Sequence, residues 1–195
     1  MAGPRIGPAS GPSRFLAGVP VGYAATRDGA VAAAAAYQQH LFGTLLLRPQ
    51  ELRAAVSAVA APEKRDALVA KLETAAAVLE QRFQMVTAVA HGVPAEVLTF
   101  PMTTQVLSYD AENARVRVYT CTMLAEKDVL APSTIWGTVV VTLRRTRDDW
   151  QLVDSGVDDG SPSVIPSVQG TAGTTAAVPP QLDAFQQYIY APPAS

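Results

Sequence analysis

The arrangement of apolar and polar positions changes once along the chain, close to residue 94. Before this point apolar residues recur at helical spacing, and after it they alternate with polar residues as in strands. The predicted strands follow each other through short loops, which indicates antiparallel pairing. The pattern predicts an α+β fold in which three N-terminal helices pack on a curved, four-stranded antiparallel sheet. The predicted helices span 27–47, 50–60 and 63–90, and the predicted strands span 97–109, 114–125, 134–145 and 150–155.

Residues that commonly begin and end helices support these limits. Thr26 is a good N-cap, with Asp28 in the first turn where the helix dipole favours a negative charge. Pro49 suits the first turn of the second helix. Gly92 is the expected left-handed residue after the third helix, and Pro94 prevents the helix from resuming.

The two central strands separate into a face directed at the helices and a face directed away from them. Val116, Val118, Val139 and Val141 lie on the first face. The second face mixes aromatic, hydroxyl and basic side chains and is the candidate partner-binding surface. Its candidate residues are Arg117, Tyr119, Trp136, Thr138 and Arg144.

Composition divides the chain into three regions. Residues 1–18 are rich in Gly, Pro, Ser and Ala, which predicts a disordered linker. Residues 19–158 form the predicted domain. Residues 159–195 are a Pro-, Ser-, Thr- and Gly-rich tail with a short amphipathic segment at 181–190, whose apolar residues have helical spacing at positions 182, 185, 188 and 189.

Charge and cysteine content exclude some classes of function. The chain has 15 basic and 17 acidic residues, a formal charge of −2, so nucleic acid is not an expected partner. No apolar stretch approaches the roughly 20 residues of a membrane span. The lone Cys121 has no second cysteine for a disulfide, and it is interpreted as a small packed hydrophobe.

Few residues suggest catalysis or metal binding. His40 is predicted on the polar side of the first helix beside Gln38, and His91 at a helix end, so they do not form a metal site. No glycine-rich phosphate loop follows a strand. We therefore expect no enzyme activity, cofactor or metal. The alternative is a small-molecule or catalytic site in the hollow between sheet and helices, with Tyr37, Phe83, Phe100, Met102 and Asp154 as candidate lining residues.

The order of three helices and four long strands, closed by Trp150-Gln-Leu-Val153, resembles the nuclear-transport-factor-2-like (cystatin-like cone) fold over residues 19–158. The segment Gly18-Val-Pro-Val-Gly-Tyr-Ala-Ala-Thr-Arg-Asp-Gly-Ala-Val-Ala-Ala33 resembles actinobacterial proteins of conjugative or mobile elements. These are similar to extracytoplasmic assembly domains of type IV secretion systems.

The resemblance implies a role in protein assembly, with no catalytic residues to transfer to this chain. In that family a membrane helix usually precedes a linker and the cone-shaped domain, and no such helix occurs in this sequence. The expected partners are other proteins of a membrane-associated assembly, and a homodimer through the sheet also suits this fold. The expected location is the extracytoplasmic face of the membrane if an upstream anchor exists, and otherwise the cytoplasm.

Overall fold

A computed structural model describes residues 8–127, 129–158 and 186–187. A short hairpin comes first, with strands β1 (Arg14–Leu16) and β2 (Val19–Val21). The helices α1 (Arg27–Leu41), α2 (Pro49–Val59), α3 (Arg65–Phe83) and α4 (Met85–Ala90) follow, and 3₁₀ turns occupy Pro8–Ser10, Thr44–Leu47 and Pro62–Lys64. The remaining strands are β3 (Ala95–Tyr109), β4 (Asn113–Glu126), β5 (Leu130–Arg145), β6 (Trp150–Val157) and the two-residue β7 (Gln186–Gln187).

The main sheet has the strand order β6-β5-β4-β3-β7, and all neighbouring strands are antiparallel. The predicted α+β class is confirmed. All four predicted strands are present because each alternates apolar and polar side chains over its length. The register of β3 with β4 shifts between Pro101 and Thr103, on a strand next to the sheet edge, and proline in a strand is typical of such a bulge or edge position.

Helix α1 lies at the centre of the core. Its residues Ala30 to Ala36 are all buried, and the helix contacts α2 and the strands β3 to β6. The sheet contributes Val116, Val118 and Val141 to the same cluster, which confirms their predicted direction. Because alanine has the smallest apolar side chain, its run lets the backbone of α1 approach the sheet closely.

The turn between β5 and β6 holds the chain segment that leads into α1. The Asp149 carboxylate accepts hydrogen bonds from the backbone N–H groups of Gly22 (2.5 Å) and Tyr23 (2.9 Å). The indole N–H of Trp150 donates to the carbonyl of Ala24 at 2.8 Å. Gly22 has φ +80°, a conformation that favours glycine. These bonds fix the β1–β2 hairpin to the sheet.

The prediction of a disordered linker is wrong for residues 8–18. Arg14–Leu16 pair with Val19–Val21, and the N–H of Ala24 donates to the carbonyl of Ser10. The physical reason is burial, since Val19 and Val21 are core residues and their strand needs a hydrogen-bonding neighbour. Residues 1–7 lie outside the described residues.

Two of the three predicted helices are shorter than expected. The first ends at Leu41 and continues as a 3₁₀ turn. The third divides at Gln84, which has φ +56° and separates α3 from α4. The carboxylate of Glu80 accepts hydrogen bonds from the backbone N–H and the hydroxyl of Thr87, so it supplies acceptors to the start of α4. The described residues therefore contain four α-helices where three were predicted.

The helical spacing proposed for the C-terminal segment is wrong for two residues. Gln186 and Gln187 form strand β7, opposite Thr104 and Thr103 of β3. The rest of the predicted tail, residues 159–185 and 188–195, lies outside the described residues.

Candidate functional site

The main sheet has a face that the described helices do not cover, here called the outer face. Val116, Val118 and Val141 point to the helices, so the alternating residues of the same strands point the other way. The strand register aligns these outward residues in rows across β3, β4 and β5. Four of the five residues predicted for partner binding, Arg117, Tyr119, Trp136 and Thr138, lie together on this face, and Arg144 lies at its β6 side.

One row of the outer face is aromatic. Phe100 pairs with Cys121, and Cys121 pairs with Trp136, which brings three strands into a single row. The ring of Tyr119 stacks on that of Trp136, with ring centroids 5.6 Å apart and an angle of 24° between the planes. Stacked aromatic pairs on a sheet present a rigid, largely apolar surface.

The middle of the outer face is well packed. Tyr119 and Cys121 are each 9% exposed, and Thr138 is 8% exposed. Burial raises the pKa of the Cys121 thiol, so the thiol is protonated at neutral pH and is a weak nucleophile. Burial, together with the nearby Cys121, also raises the pKa of Tyr119. These two groups are therefore packing elements of the face.

Exposed apolar side chains surround this middle on the β3 side. Leu98 is 37% exposed, and Phe100 and Met102 are each 41% exposed. Met102 is the extra residue of the bulge that follows Pro101, so it projects at the strand edge. Leu98, Phe100, Met102 and Trp136 together are called the apolar patch below.

The arginines predicted for partner binding already have partners. Arg117 binds the carboxylate of Asp158 at 2.5 Å and the side-chain carbonyl of Gln105 at 2.8 Å. Arg144 binds both carboxylate oxygens of Glu63, at 2.7 and 3.3 Å. The hydrogen bond from Arg144 lowers the pKa of the Glu63 carboxyl. Both guanidinium groups thus form contacts within the domain itself. The apolar patch is therefore the part of the outer face that is exposed for contact with a partner.

The five candidate cavity-lining residues do not come together. Tyr37 is buried in the main core, and Phe83 packs on a second cluster around Met85. Phe100 and Met102 are exposed beside the outer face, and Asp154 is exposed and paired with Lys71 at 2.7 Å. Burial, then the nearby Asp149, raises the pKa of the Tyr37 hydroxyl well above its usual range, so it is no acid near neutral pH.

Two surface grooves occur among the described residues. An apolar groove of ≈ 230 Å³ is lined by residues of α2, α3 and α4, among them Leu52 and Ala76, and includes none of the five candidates. A second groove of ≈ 220 Å³ runs between the end of α1 and β3, and Phe100 is the one candidate that lines it. The second groove does lie between a helix and the sheet, but neither groove brings together more than one of the five candidate residues.

The histidines have separate local roles. The Nδ1 atom of His91 lies 2.9 Å from the carbonyl oxygen of Thr87 at the end of α4, as expected for a helix-capping residue. His40 is partly buried where a solvated position was predicted, and burial lowers its pKa. Its neighbour Gln38 is buried and accepts a hydrogen bond from Ser155. Among the described residues, no group of three His, Cys, Asp or Glu side chains could hold a metal ion.

These features define an α+β domain with one sheet face packed on helices and an outer face with an aromatic centre. The chain belongs to the family named Domain of unknown function (DUF8175), whose family model matches residues 1–176. No curated protein and no solved structure matches the chain. No helix in the described part of the chain is long and apolar enough to span a membrane.

Proposed function

We propose that this chain is a non-enzymatic protein-interaction module whose contact surface is the apolar patch of the outer face. The observation that carries the proposal is the row Phe100–Cys121–Trp136 with Tyr119 stacked beside it. Aromatic side chains and methionine are enriched at protein interfaces because they bury a large area with little conformational cost.

The patch is suited to a partner because its centre is rigid and its rim is exposed. Tyr119 and Trp136 are held by stacking, so they lose little side-chain entropy on contact. Phe100 and Met102 project beside them with about two fifths of their surface exposed. A well-packed aromatic centre with exposed apolar neighbours resembles the core and inner rim of known interfaces.

The charges on the same face indicate the chemistry of the partner. Arg117 is paired with Asp158, whereas Arg115 is exposed and has no ion pair among the described residues. Arg115 is six residues along β4 from Cys121, which is a distance of about 20 Å. Exposed Glu96 lies on the same face, two residues along β3 from Leu98. The proposed partner is therefore another protein that presents apolar side chains to the patch and complementary charges to Glu96 and Arg115.

Phe100→Ser tests this proposal, with Val78→Ser as the matched control. Val78 is an exposed apolar residue on α3, away from the sheet, with 45% exposure against 41% for Phe100. Native electrophoresis of extracts from cells that make the chain should show the wild type and Val78→Ser in a larger complex, and Phe100→Ser as the chain alone. Mass spectrometry of the complex distinguishes another protein from a second copy. Equal migration of all three proteins would contradict the proposal.

A small-molecule or catalytic site has less support. The candidates Tyr37, Phe83 and Asp154 lie in the main core, in the second cluster and at the surface, respectively. The Tyr37 hydroxyl is engaged with the backbone of Trp150. An isomerase or dehydratase of the cone type needs a titratable group aimed into one shared cavity, and these residues share none.

The proposed fold family is the nuclear-transport-factor-2-like cone, and the proposed setting is a conjugation or secretion assembly at the extracytoplasmic membrane face. The support is the element order and the resemblance of residues 18–33, which form β2 and the start of α1. Fractionation of the source cells with external protease tests the setting. Recovery with membranes and digestion from outside would support it, and a protected cytosolic chain would refute it.

A further inference from the structure

The outermost of the four long strands are β6 and β3. Their outer edges differ in the hydrogen-bond partners that the rest of the chain supplies. The β6 edge is covered, because the N–H of Ala61 donates to the carbonyl of Leu152 at 2.8 Å. The ammonium group of Lys71, on α3, also binds the carbonyl of Ser155 at 2.7 Å. The helical layer therefore supplies hydrogen-bond partners along β6.

The β3 edge has few of the features that keep strands from pairing. The strand is 15 residues long, and Glu96 is its one charged residue. Edge strands are usually protected by lysines, by shortness or by a covering element, because unpaired backbone groups recruit other strands. Pro101 and the bulge at Met102 interrupt the edge at one place. A covering strand is therefore expected on β3.

The described residues show the beginning of such a cover. Gln187 lies opposite Thr103, and Gln186 lies opposite Thr104, in antiparallel register. Thr104 is buried on the helix side, and Thr103 belongs to the outer-face row of Tyr119. Strand β7 is thus placed on the edge next to the apolar patch.

We infer that the β3 edge is a strand-addition site whose occupant is this chain's own C-terminal segment, residues 182–190. The inference depends on the edge alone and does not require the proposed function. Extending the observed register by one residue places Phe185 opposite Gln105, which lies in the outer-face row of Arg117, so Phe185 would lie on the outer face. The segment would then provide backbone pairing and, through Phe185, an apolar contact on the outer face.

The length of chain between the two attachment points favours addition within one molecule. Residues 159–185, which are 27 residues, separate Asp158 from Gln186. A chain of 27 residues can span at most about 90 Å when fully extended. Crossing from β6 to the β3 edge needs about 15–20 Å. The tether is long enough, and a tethered strand has an effective concentration of roughly millimolar. The chain's own segment therefore outcompetes a second copy in dilute solution.

Residue-resolved hydrogen exchange on the full chain tests the inference. The variant carries both Gln186→Pro and Gln187→Pro. Of two successive backbone N–H groups in a strand, one points toward the neighbouring strand, and proline has no N–H, so the double substitution removes the donor that would face β3. The matched control is Ala176→Pro with Ala177→Pro, which adds two prolines outside the segment. The quantity measured is the exchange rate of those β3 amides that point away from β4.

We expect these amides to exchange at least about tenfold faster in the Gln186/Gln187 variant than in the wild type. The control should match the wild type, and the protection should not change with protein concentration. The amides of α1 report whether each variant remains folded. Equal rates in all three proteins would overturn the inference, as would protection that appears only as concentration rises, since a second copy would then supply the strand.

Discussion

The hydroxyl of Tyr37 on α1 donates a 2.7 Å hydrogen bond to the backbone carbonyl of Trp150 at the start of β6. Both side chains are almost completely buried. The bond connects the central helix to the last long strand, 113 residues later in the chain. Beside it, Asp149 and Trp150 hold residues 22–24, so this one corner fixes the N-terminal hairpin, the helix and the sheet together.

Tyr37→Phe should lower the free energy of unfolding by about 1–3 kcal/mol, because it leaves the buried carbonyl of Trp150 without this donor. Urea unfolding followed by circular dichroism measures the change. Tyr109→Phe is the control, since Tyr109 is exposed at the end of β3 and its substitution should change stability by less than about 0.5 kcal/mol. Equal effects of the two substitutions would show that the Tyr37 hydroxyl contributes little.

Asp149→Asn should destabilise the N-terminal hairpin. Its carboxylate accepts hydrogen bonds from the N–H groups of Gly22, Tyr23 and Trp150, and an amide has only one oxygen to replace two. Hydrogen bonds to charged groups contribute about 1.5–3 kcal/mol each, so a loss of that size is expected in urea unfolding. Faster amide exchange at residues 19–23 should accompany it. Asp148→Asn changes the exposed neighbouring residue and should have neither effect.

Ala33→Leu should destabilise the protein although leucine is a good helix former. Ala33 is completely buried where α1 packs on the sheet, so the larger side chain must displace its neighbours at a cost of about 1–3 kcal/mol. Ala77→Leu makes the same exchange at an exposed position of α3 and should be nearly neutral. Thermal unfolding of both variants provides the comparison. A neutral Ala33→Leu would contradict the close packing of α1.

The contact between Glu80 and Thr87 should depend on pH. The Thr87 hydroxyl and N–H lower the pKa of Glu80 below its ordinary value of 4.5. Because the folded-state pKa is the lower one, the stabilisation is complete above the unfolded-state pKa and is lost as pH falls through the folded-state pKa. Glu80→Gln should therefore cost more stability at about pH 7 than at about pH 3.

Urea unfolding at both pH values measures that difference. Glu73→Gln is the control, since it removes one carboxylate from the same helix, where Glu73 is paired with Arg53. Its change in unfolding free energy at each pH is subtracted from that of Glu80→Gln. A cost of Glu80→Gln that does not change with pH, after this correction, would show that the ionised carboxylate does not cap α4.

The sequence predicted the sheet more accurately than the helices. The alternation of apolar and polar residues defines a strand directly, and the loops at Asp110–Asn113 and Thr146–Asp149 separate the strands clearly. The break at Gln84 carries no such signal, because neither glycine nor proline is present and the left-handed conformation depends on local hydrogen bonds. The β1–β2 hairpin was missed because its composition resembles a linker, while its stability comes from contacts with distant Asp149.

The candidate site was predicted only in part, because local alternation identifies the face of a strand but not its register or its distant contacts. Period-two alternation placed Tyr119 and Trp136 on one face correctly, because both strands are regular there. Phe100 was assigned to a cavity, since its position beside Cys121 depends on the register between β3 and β4, which a single sequence does not specify. The ion pairs of Arg117 and Arg144 involve residues 41 and 81 positions away and could not be predicted from local pattern.

The most direct test of the proposed interaction surface is photo-crosslinking from the apolar patch in living cells. A photoreactive amino acid placed at Phe100 should form a covalent adduct with another protein, and the same amino acid at Val78 should not. The adduct should also disappear when Trp136→Ala is introduced, because that substitution removes the ring on which Tyr119 stacks. No adduct at Phe100, or equal yields at Phe100 and Val78, would contradict the claim that the apolar patch binds a protein partner.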